Sequence, residues 1–182
     1  MYAWTRHNAG FLLADAVAER WRLPAFRRAG PARVTTGEVE GTTVALVKPQ
    51  TFMNLSGAAL RPLLAEPGFE PARDLLVLVD DAAIALGTFR VRARGSAGGH
   101  NGLKSVEDAL RSREYARLRI GVGPVPEGVG DLADYVLAPF AEDEVAALEP
   151  LWPVMVDAVT CWVRDGIDAT MQQFNRPVKT GD

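Results

Sequence analysis

The stretch Arg94–Ser105 reads RGSAGGHNGLKS, and the rest of the fold can be arranged around it. Four glycines within eight residues let the backbone approach a ligand closely. Leu103, Val106 and Leu110 then recur at helical spacing, which predicts that the loop leads into the N-terminus of a helix. Free N–H groups at such a terminus favour an anion or a developing oxyanion. The loop alone leaves open a plain surface turn.

Two apolar segments precede this loop, and each leads to a polar residue. Thr43–Val47 is predicted to be a strand covered on both faces, and Asn54 follows it. Leu75–Val79 is predicted to be a second buried strand, and Asp80 comes directly after it. Helical patterns separate the strands, so we predict the α/β class, with a mixed, twisted sheet flanked by helices on both faces. Ligands of such sheets bind beyond the carboxyl ends of the strands.

The composition limits the classes of protein to be considered. The chain has 182 residues, 48% of them hydrophobic, which fits a single domain over residues 1–182. The net charge is −3, so any contact with nucleic acid has to come from a local basic patch. One cysteine, Cys161, excludes an internal disulfide, and with two histidines it is too small a ligand set for zinc. No apolar run approaches a membrane span, so we expect a soluble, cytoplasmic protein.

Two segments near the glycine loop alternate apolar residues with arginines. They are Thr88–Arg94 and Tyr115–Val122. Such alternation predicts strands with one apolar and one basic face. The arginines are Arg90, Arg92, Arg94, Arg117 and Arg119. Two interpretations stay open, a local basic patch that binds a partner and the solvated edges of a sheet.

A hydrolytic site can be assembled from four of the polar residues. His7 precedes a helical pattern, and a carboxylate such as Asp80 can hold an imidazole in the tautomer of a general base. The sequence lacks a G-x-S-x-G elbow, and Cys161 lies in a packing helix, so we expect the base to activate water. Asn54 and Asn101 are then candidates to polarise a substrate carbonyl.

Two other classes of function were weighed. The glycine loop superficially resembles a phosphate-binding P-loop, but Leu103 separates Gly102 from Lys104, whereas the P-loop has glycine directly before lysine. A nucleotidase is therefore disfavoured. A non-catalytic RNA-binding module that uses the arginine-bearing strands is the third possibility. Hydrolysis of an ester substrate that is lost in His7→Ala separates the enzyme from that module.

Three long motifs together resemble bacterial-type peptidyl-tRNA hydrolase. They are TRHNAGF at Thr5–Phe11, KPQTFMNLSG at Lys48–Gly57 and GSAGGHNGLKS at Gly95–Ser105. The shorter segments RLRIG at Arg117–Gly121 and DYVL at Asp134–Leu137 fit the same family. The likeness covers nearly the whole chain from Tyr2 onward. It implies a monomeric carboxylic ester hydrolase that cleaves peptide from the tRNA 3′ end, without a metal or another cofactor.

The resemblance also implies a role for individual residues. His7 is the expected base and Asp80 its support, while Asn54 and Asn101 contact the substrate around the ester. The remaining candidates contact tRNA. Tyr2 and Phe52 are expected to line the site for the acceptor end, and Arg92, Arg119 and Lys104 to contact tRNA phosphates.

One departure from the family concerns its N-terminal strand. The family begins with a buried strand ending in Gly-Asn-Pro-Gly, which this sequence lacks before Tyr2. Loss of a central strand leaves unpaired backbone groups, at about 1–3 kcal/mol for each buried one. We therefore expect a destabilised sheet with an apolar slot, unless another segment fills it. The simpler expectation is that Met1 is not the native start and that upstream codons encode the strand. The alternative function is a catalytically impaired protein that binds the tRNA acceptor end, because the asparagine of that strand is absent.

Overall fold

Helices and strands alternate along the chain in the computed structural model, which describes residues 4–175. The strands are β1 (Arg27–Ala29), β2 (Ala32–Val39), β3 (Thr42–Pro49), β4 (Leu76–Ala85), β5 (Phe89–Arg92) and β6 (Ala116–Gly123). The helices are α1 (Ala9–Arg20), α2 (Arg61–Leu64), α3 (Pro71–Asp74), α4 (Asn101–Leu110), α5 (Leu132–Leu137), α6 (Glu142–Leu148), α7 (Leu151–Asp165) and α8 (Ile167–Phe174). Two further segments, Arg6–Asn8 and Met53–Leu60, are 3-10 helices.

The strands form two three-stranded sheets. The first sheet has the order β1-β2-β3, and both of its strand pairs are antiparallel. The second has the order β4-β6-β5, in which β4 runs parallel and β5 antiparallel to the central strand β6. The predicted α/β class is confirmed, with the strands divided between two sheets rather than joined in one.

Strand β4 separates two apolar clusters. Its residues Leu76 and Leu78 pack against a cluster that includes buried residues of α1 and α7. Val77 and Val79 belong to a second cluster that includes Leu103. Because successive side chains of a strand point to opposite faces, helices cover both faces of this sheet. The helix pattern in the sequence predicted this layering.

The burial of two predicted strands differs from the expectation. The sequence predicted that Thr43–Val47 is covered on both faces, but no residue of β3 is buried. Leu75–Val79 was predicted to be a buried strand, but of these five residues only Val79 is buried. The physical reason is that, among residues 4–175, β3 and β4 are edge strands, and a cavity of about 850 Å³ lies between them.

Prolines and a glycine set the ends of several helices. The segment after Phe52 is divided into a 3-10 helix and α2, and Pro62 lies in the first turn of α2, where its missing N–H is tolerated. The helical pattern from residue 142 to residue 174 is interrupted before α7 at Pro150 and after it at Gly166. Among residues 4–175, the helices are too short or too polar to cross a membrane.

Candidate active site

His7 and Asp80 form a hydrogen-bonded pair. His7 lies in the 3-10 turn before α1, and Asp80 lies in β4. The Nδ1 atom of His7 is 2.9 Å from Oδ1 of Asp80. The carboxylate is only 5% exposed, whereas the imidazole is partly accessible. The contact that the sequence predicted between these two residues is therefore present.

His100 binds the same carboxylate oxygen as His7. Its Nε2 atom is 3.0 Å from Oδ1 of Asp80. Its Nδ1 atom accepts the backbone N–H of Leu103 at 3.2 Å, so the imidazole also caps the N-terminus of α4. Because Nδ1 is an acceptor, the ring proton of His100 lies on Nε2 and is donated to Asp80.

This arrangement also fixes the tautomer of His7. Ionised Asp80 can only accept hydrogen bonds, so Nδ1 of His7 carries the proton and donates it. In the neutral form of the ring, the Nε2 atom of His7 then keeps its lone pair. Burial disfavours the charged form of Asp80, but the hydrogen bonds from His100 and His7 outweigh it and lower the pKa of Asp80. The site therefore holds an imidazole against a buried carboxylate, the arrangement that orients a general base.

The same three side chains come close enough to be considered as metal ligands. The ligand atoms of His7, Asp80 and His100 lie within 4.8 Å of one another. A metal on Nε2 of His100 moves the ring proton to Nδ1, which here faces the N–H of Leu103. The N–H group at Nδ1 of His100 would then face the N–H group of Leu103, and neither of the two donors could accept the other's hydrogen bond. The observed hydrogen bonds thus favour a site in which His7 and His100 donate to Asp80, and they disfavour a metal ion bound by the same three side chains.

Arg6 fixes the segment that carries His7. Its side chain is buried, and its guanidinium contacts the Glu144 carboxylate at 2.5 Å and 3.2 Å. It also donates to the Tyr135 carbonyl at 3.1 Å, and it stacks on the Tyr135 ring at 4.4 Å. The backbone N–H of Arg6 donates to Ala138. These contacts join the histidine segment to α5 and α6.

Asn54 and Asn101 are exposed and lie on two segments that pack closely together. Asn54 belongs to the 3-10 helix Met53–Leu60, and Asn101 begins α4. A Cβ added at Gly57 would collide with the backbone of Ser105, and one added at Gly102 would lie 2.6 Å from the Met53 sulfur. The glycines therefore allow the contact between the two segments. Phe52, just before Met53, is 82% exposed.

The arginines of β5 and β6 share one face of the sheet, because Arg90 pairs with Arg119 and Arg92 with Arg117. These arginines differ in how far their side chains are exposed. Arg92 is exposed, whereas Arg119 is partly covered and lies 2.7 Å from the Asp81 carboxylate. Arg117 is 1% exposed, so its assignment to an accessible basic face was wrong.

Arg117 instead supports the structure beneath the glycine loop. It donates to the carbonyls of Arg113 at 3.1 Å and Ser96 at 3.4 Å, and it stacks on Tyr115 at 3.9 Å. Burial lowers its pKa from the ordinary arginine value. Of the other tRNA-binding candidates, Lys104 is exposed on α4, and Tyr2 falls outside the described residues.

Two residues of this site were missed by the sequence reasoning. They are His100, which lies in the glycine loop, and Arg6, which lies directly before His7. The signal for His100 was its position directly before a helix, where an acceptor side chain can cap the first turn. No local pattern indicates Arg6, because its partner Glu144 is 138 residues away.

An α/β fold with a histidine held by a buried carboxylate is typical of hydrolases. The family is shown by comparison with known proteins. The model of the family described as Peptidyl-tRNA hydrolase matches residues 1–181, and the chain belongs to this family.

Individual relatives agree with this assignment. The chain is 48% identical over 177 residues to peptidyl-tRNA hydrolase of Gemmatimonas aurantiaca, which covers 96% of this chain and 93% of that protein. It is 44% identical over 174 residues to the Chloroflexus aggregans protein of the same name, covering 96% and 92%. The crystal structure of peptidyl-tRNA hydrolase from Acinetobacter baumannii is 28% identical, has a TM-score of 0.87, and covers 96% of this chain and 88% of that one.

Proposed function

We propose that this chain hydrolyses the ester bond between the peptide and the tRNA 3′ end in peptidyl-tRNA, with His7 as the general base. The observation that carries the proposal is the double hydrogen bonding of Asp80. One oxygen of its carboxylate accepts from His7 at 2.9 Å and from His100 at 3.0 Å, which leaves Nε2 of His7 as an acceptor. The names of the relatives support the choice of substrate.

The reaction follows from these proton positions. Nε2 of His7 takes a proton from water while the water oxygen attacks the ester carbonyl. Asp80 stabilises the imidazolium that results. The carbonyl becomes a tetrahedral oxyanion, to which the side-chain amides of Asn54 and Asn101 donate. The carbon–oxygen bond to the ribose then breaks, and His7 returns its proton to the leaving oxygen, which yields a peptide carboxylic acid and free tRNA.

The tRNA is held by residues around this site. Arg92, Arg119 and Lys104 are proposed to contact phosphates, which adds affinity without sequence preference. Of these, Arg92 and Lys104 are exposed, whereas Arg119 has to share its charge with Asp81. Phe52, with its large exposed ring, is proposed to contact the acceptor end together with Tyr2.

Further details of the proposal concern the assembly and the setting of the enzyme. We propose that it acts as a monomer in the cytoplasm, where peptidyl-tRNA arises during translation. No metal or other cofactor takes part in the steps given above. Membership of the family does not favour the alternative of a catalytically impaired protein that only binds the tRNA acceptor end.

A hydrolysis assay on two tRNA substrates tests the proposal. Peptidyl-tRNA and free aminoacyl-tRNA are each incubated with the chain, and release of tRNA is followed in parallel with tRNA binding. We expect turnover of peptidyl-tRNA that is faster than that of aminoacyl-tRNA. Binding of both without turnover of either would support the binding-only alternative and contradict the proposed function.

A further inference from the structure

The two consecutive aspartates of β4 contact different groups. Asp80 accepts hydrogen bonds from His7 and His100, whereas the carboxylate of Asp81 lies 2.7 Å from the Arg119 guanidinium. Successive side chains of a strand point to opposite faces, so the first carboxylate belongs to the hydrogen-bonded site and the second to the arginine-bearing face. The proposed hydrolysis uses Asp80 and Arg119, and it leaves Asp81 without a role.

Arg119 emerges from an otherwise buried strand. It is the only residue of β6 that is not buried, and its side chain is 33% exposed. On the neighbouring strand β5 it lies opposite Arg90, which is exposed. Like charges directly opposite each other on a sheet repel. The Arg119 guanidinium is therefore accessible from solvent, and an anion bound to it relieves this repulsion.

The carboxylate of Asp81 already supplies such an anion. Its side chain is 10% exposed, and its Oδ1 atom accepts the N–H of Ala83 at 2.9 Å. Its Oδ2 atom is covered and, within residues 4–175, accepts no aligned hydrogen bond, so its contact with Arg119 is an ion pair. Such a contact shares the charge of Arg119 but leaves N–H groups of the guanidinium available to a second acceptor.

The other two candidates for phosphate contacts have no acidic partner. In the part of the chain that the structure describes, neither Arg92 nor Lys104 forms an ion pair with a carboxylate, and both are exposed. Arg119 differs from them because its charge is partly neutralised within the chain. The affinity of Arg119 for a phosphate therefore depends on Asp81.

Asp81 has two opposing effects on a phosphate that binds Arg119. It holds the guanidinium in one place, which favours binding, and it cancels part of the positive charge, which weakens binding. Asp81 is largely covered by protein, so water and salt screen its charge poorly. We therefore expect the loss of attraction to exceed the gain from the fixed position.

We propose that Asp81 competes with tRNA phosphate for Arg119 and so limits the affinity of the chain for tRNA. This role rests on the proposed function, which supplies tRNA as the source of the phosphate. Peptidyl-tRNA and the released tRNA carry the same phosphates, so a contact that binds both equally does not speed the chemistry. The ion pair with Asp81 re-forms as tRNA leaves, which favours release of this product.

Asp81→Asn tests the competition, because asparagine keeps the shape and the acceptor for the Ala83 N–H but carries no charge. Binding of free tRNA is measured by fluorescence titration at several salt concentrations, and circular dichroism checks the fold. We expect Asp81→Asn to bind tRNA about tenfold more tightly than the wild type at low salt. The slope of log affinity against log salt should become steeper by at most about 0.9, the value for one additional phosphate contact.

Two further comparisons show whether the effect passes through Arg119. In Arg119→Gln, the additional change Asp81→Asn should alter the affinity by less than about twofold, because the cation for which the two anions compete is absent. Glu114→Gln is the matched control. It removes a carboxylate that lies 3.9 Å from Arg94 in an exposed pair, and it should also change the affinity by less than about twofold. Asp81→Ser, which keeps an oxygen for the Ala83 N–H, replaces Asp81→Asn if that variant fails to fold.

Two results would overturn the competition. Weaker or unchanged tRNA binding by Asp81→Asn would show that Asp81 only holds Arg119 in place. Equal tightening with and without Arg119 would show that the charge acts on tRNA as a whole. If the wild type hydrolyses peptidyl-tRNA and either result is found, the role of Asp81 fails alone. A wild-type chain that neither binds nor hydrolyses peptidyl-tRNA contradicts the proposed function as well.

Discussion

The imidazole rings of His7 and His100 lie 5.1 Å apart, with their planes tilted by 45°, because both donate to one oxygen of Asp80. The two rings nevertheless differ in their second nitrogen. The Nδ1 atom of His100 accepts the N–H of Leu103, whereas the Nε2 atom of neutral His7 keeps a free lone pair. We infer that His7 is the base and that His100 positions the carboxylate.

Removal of the His100 imidazole should slow the reaction and change its pH dependence. His100→Ala takes one donor from Asp80, so the pKa of Asp80 rises and the carboxylate that supports His7 is protonated at a higher pH than in the wild type. A hydrogen bond to a charged group contributes about 1.5–3 kcal/mol, which corresponds to about a tenfold to hundredfold loss in kcat. His100→Gln keeps an N–H donor and should recover part of the rate. A slower enzyme with an unchanged pH profile would assign His100 a structural role only.

The ionised carboxylate of Asp80 should stabilise the fold at neutral pH, and this contribution should be lost at acidic pH. Its pKa is lower in the folded chain than the ordinary value of about 3.9. Its ionised form therefore stabilises the fold at pH values above that ordinary value, and the contribution is lost as the pH falls through the folded pKa. We expect the free energy of unfolding of the wild type to approach that of Asp80→Asn as the pH falls below about 4. Denaturant titrations at several pH values measure this, and a constant difference would contradict it.

The order of elements and the main pair of the site were readable from the sequence. Apolar runs and their polar ends placed β3 and β4, and apolar residues at helical spacing placed α4. His7 and Asp80 were predicted to meet at the strand ends, and they form a hydrogen bond. Two features depend on packing between distant residues and have no local pattern. The ion pair of Arg6 with Glu144 joins residues that are 138 positions apart, and buried Arg117 stacks on Tyr115.

Strand β3 shows that its sequence predicted a strand but did not predict how far that strand is buried. Its β-branched, apolar sequence suits a covered strand, but an apolar pattern does not specify whether a neighbour is present on each side. Its half-burial follows from its position at the edge of a sheet beside the cavity. The sequence thus predicted the strand, and only the coordinates defined which residues of β3 and β4 border the cavity.

Charge reversal at Arg92 should weaken tRNA binding without affecting the chemistry. Arg92→Glu is expected to lower affinity and to reduce the slope of log affinity against log salt by about 0.7–0.9 for each lost phosphate contact. Arg28→Glu, on the exposed strand β1, is the control and should have no such effect. Cleavage of a minimal ester substrate should continue in both variants.

Arg119 should behave differently in the same experiment. Arg119→Gln removes the partner of Asp81 as well as a candidate phosphate contact, so we expect lower stability together with weaker binding. If Arg92→Glu and Arg119→Gln impair the minimal ester and tRNA substrates equally, these arginines are structural.

Loss of the Arg6 side chain should destabilise the fold. Arg6→Met leaves Glu144 largely covered without its partner, and removal of one member of a buried ion pair costs about 3–5 kcal/mol. Glu144→Gln in the same chain should restore part of the loss, because the uncompensated charge is then absent. Arg20→Met breaks an exposed pair with Asp157 and should cost at most about 1 kcal/mol. Thermal and denaturant unfolding of the four proteins measure these differences, and equal losses in Arg6→Met and Arg20→Met would contradict the proposed anchoring.

The central claim is that His7 activates water, and single-turnover hydrolysis of peptidyl-tRNA by His7→Ala tests it most directly. Loss of a general base lowers the rate by about a hundredfold to ten-thousandfold. We predict a loss in that range with unchanged tRNA affinity and a folded protein. A His7→Ala chain that cleaves peptidyl-tRNA at the wild-type rate would contradict the account.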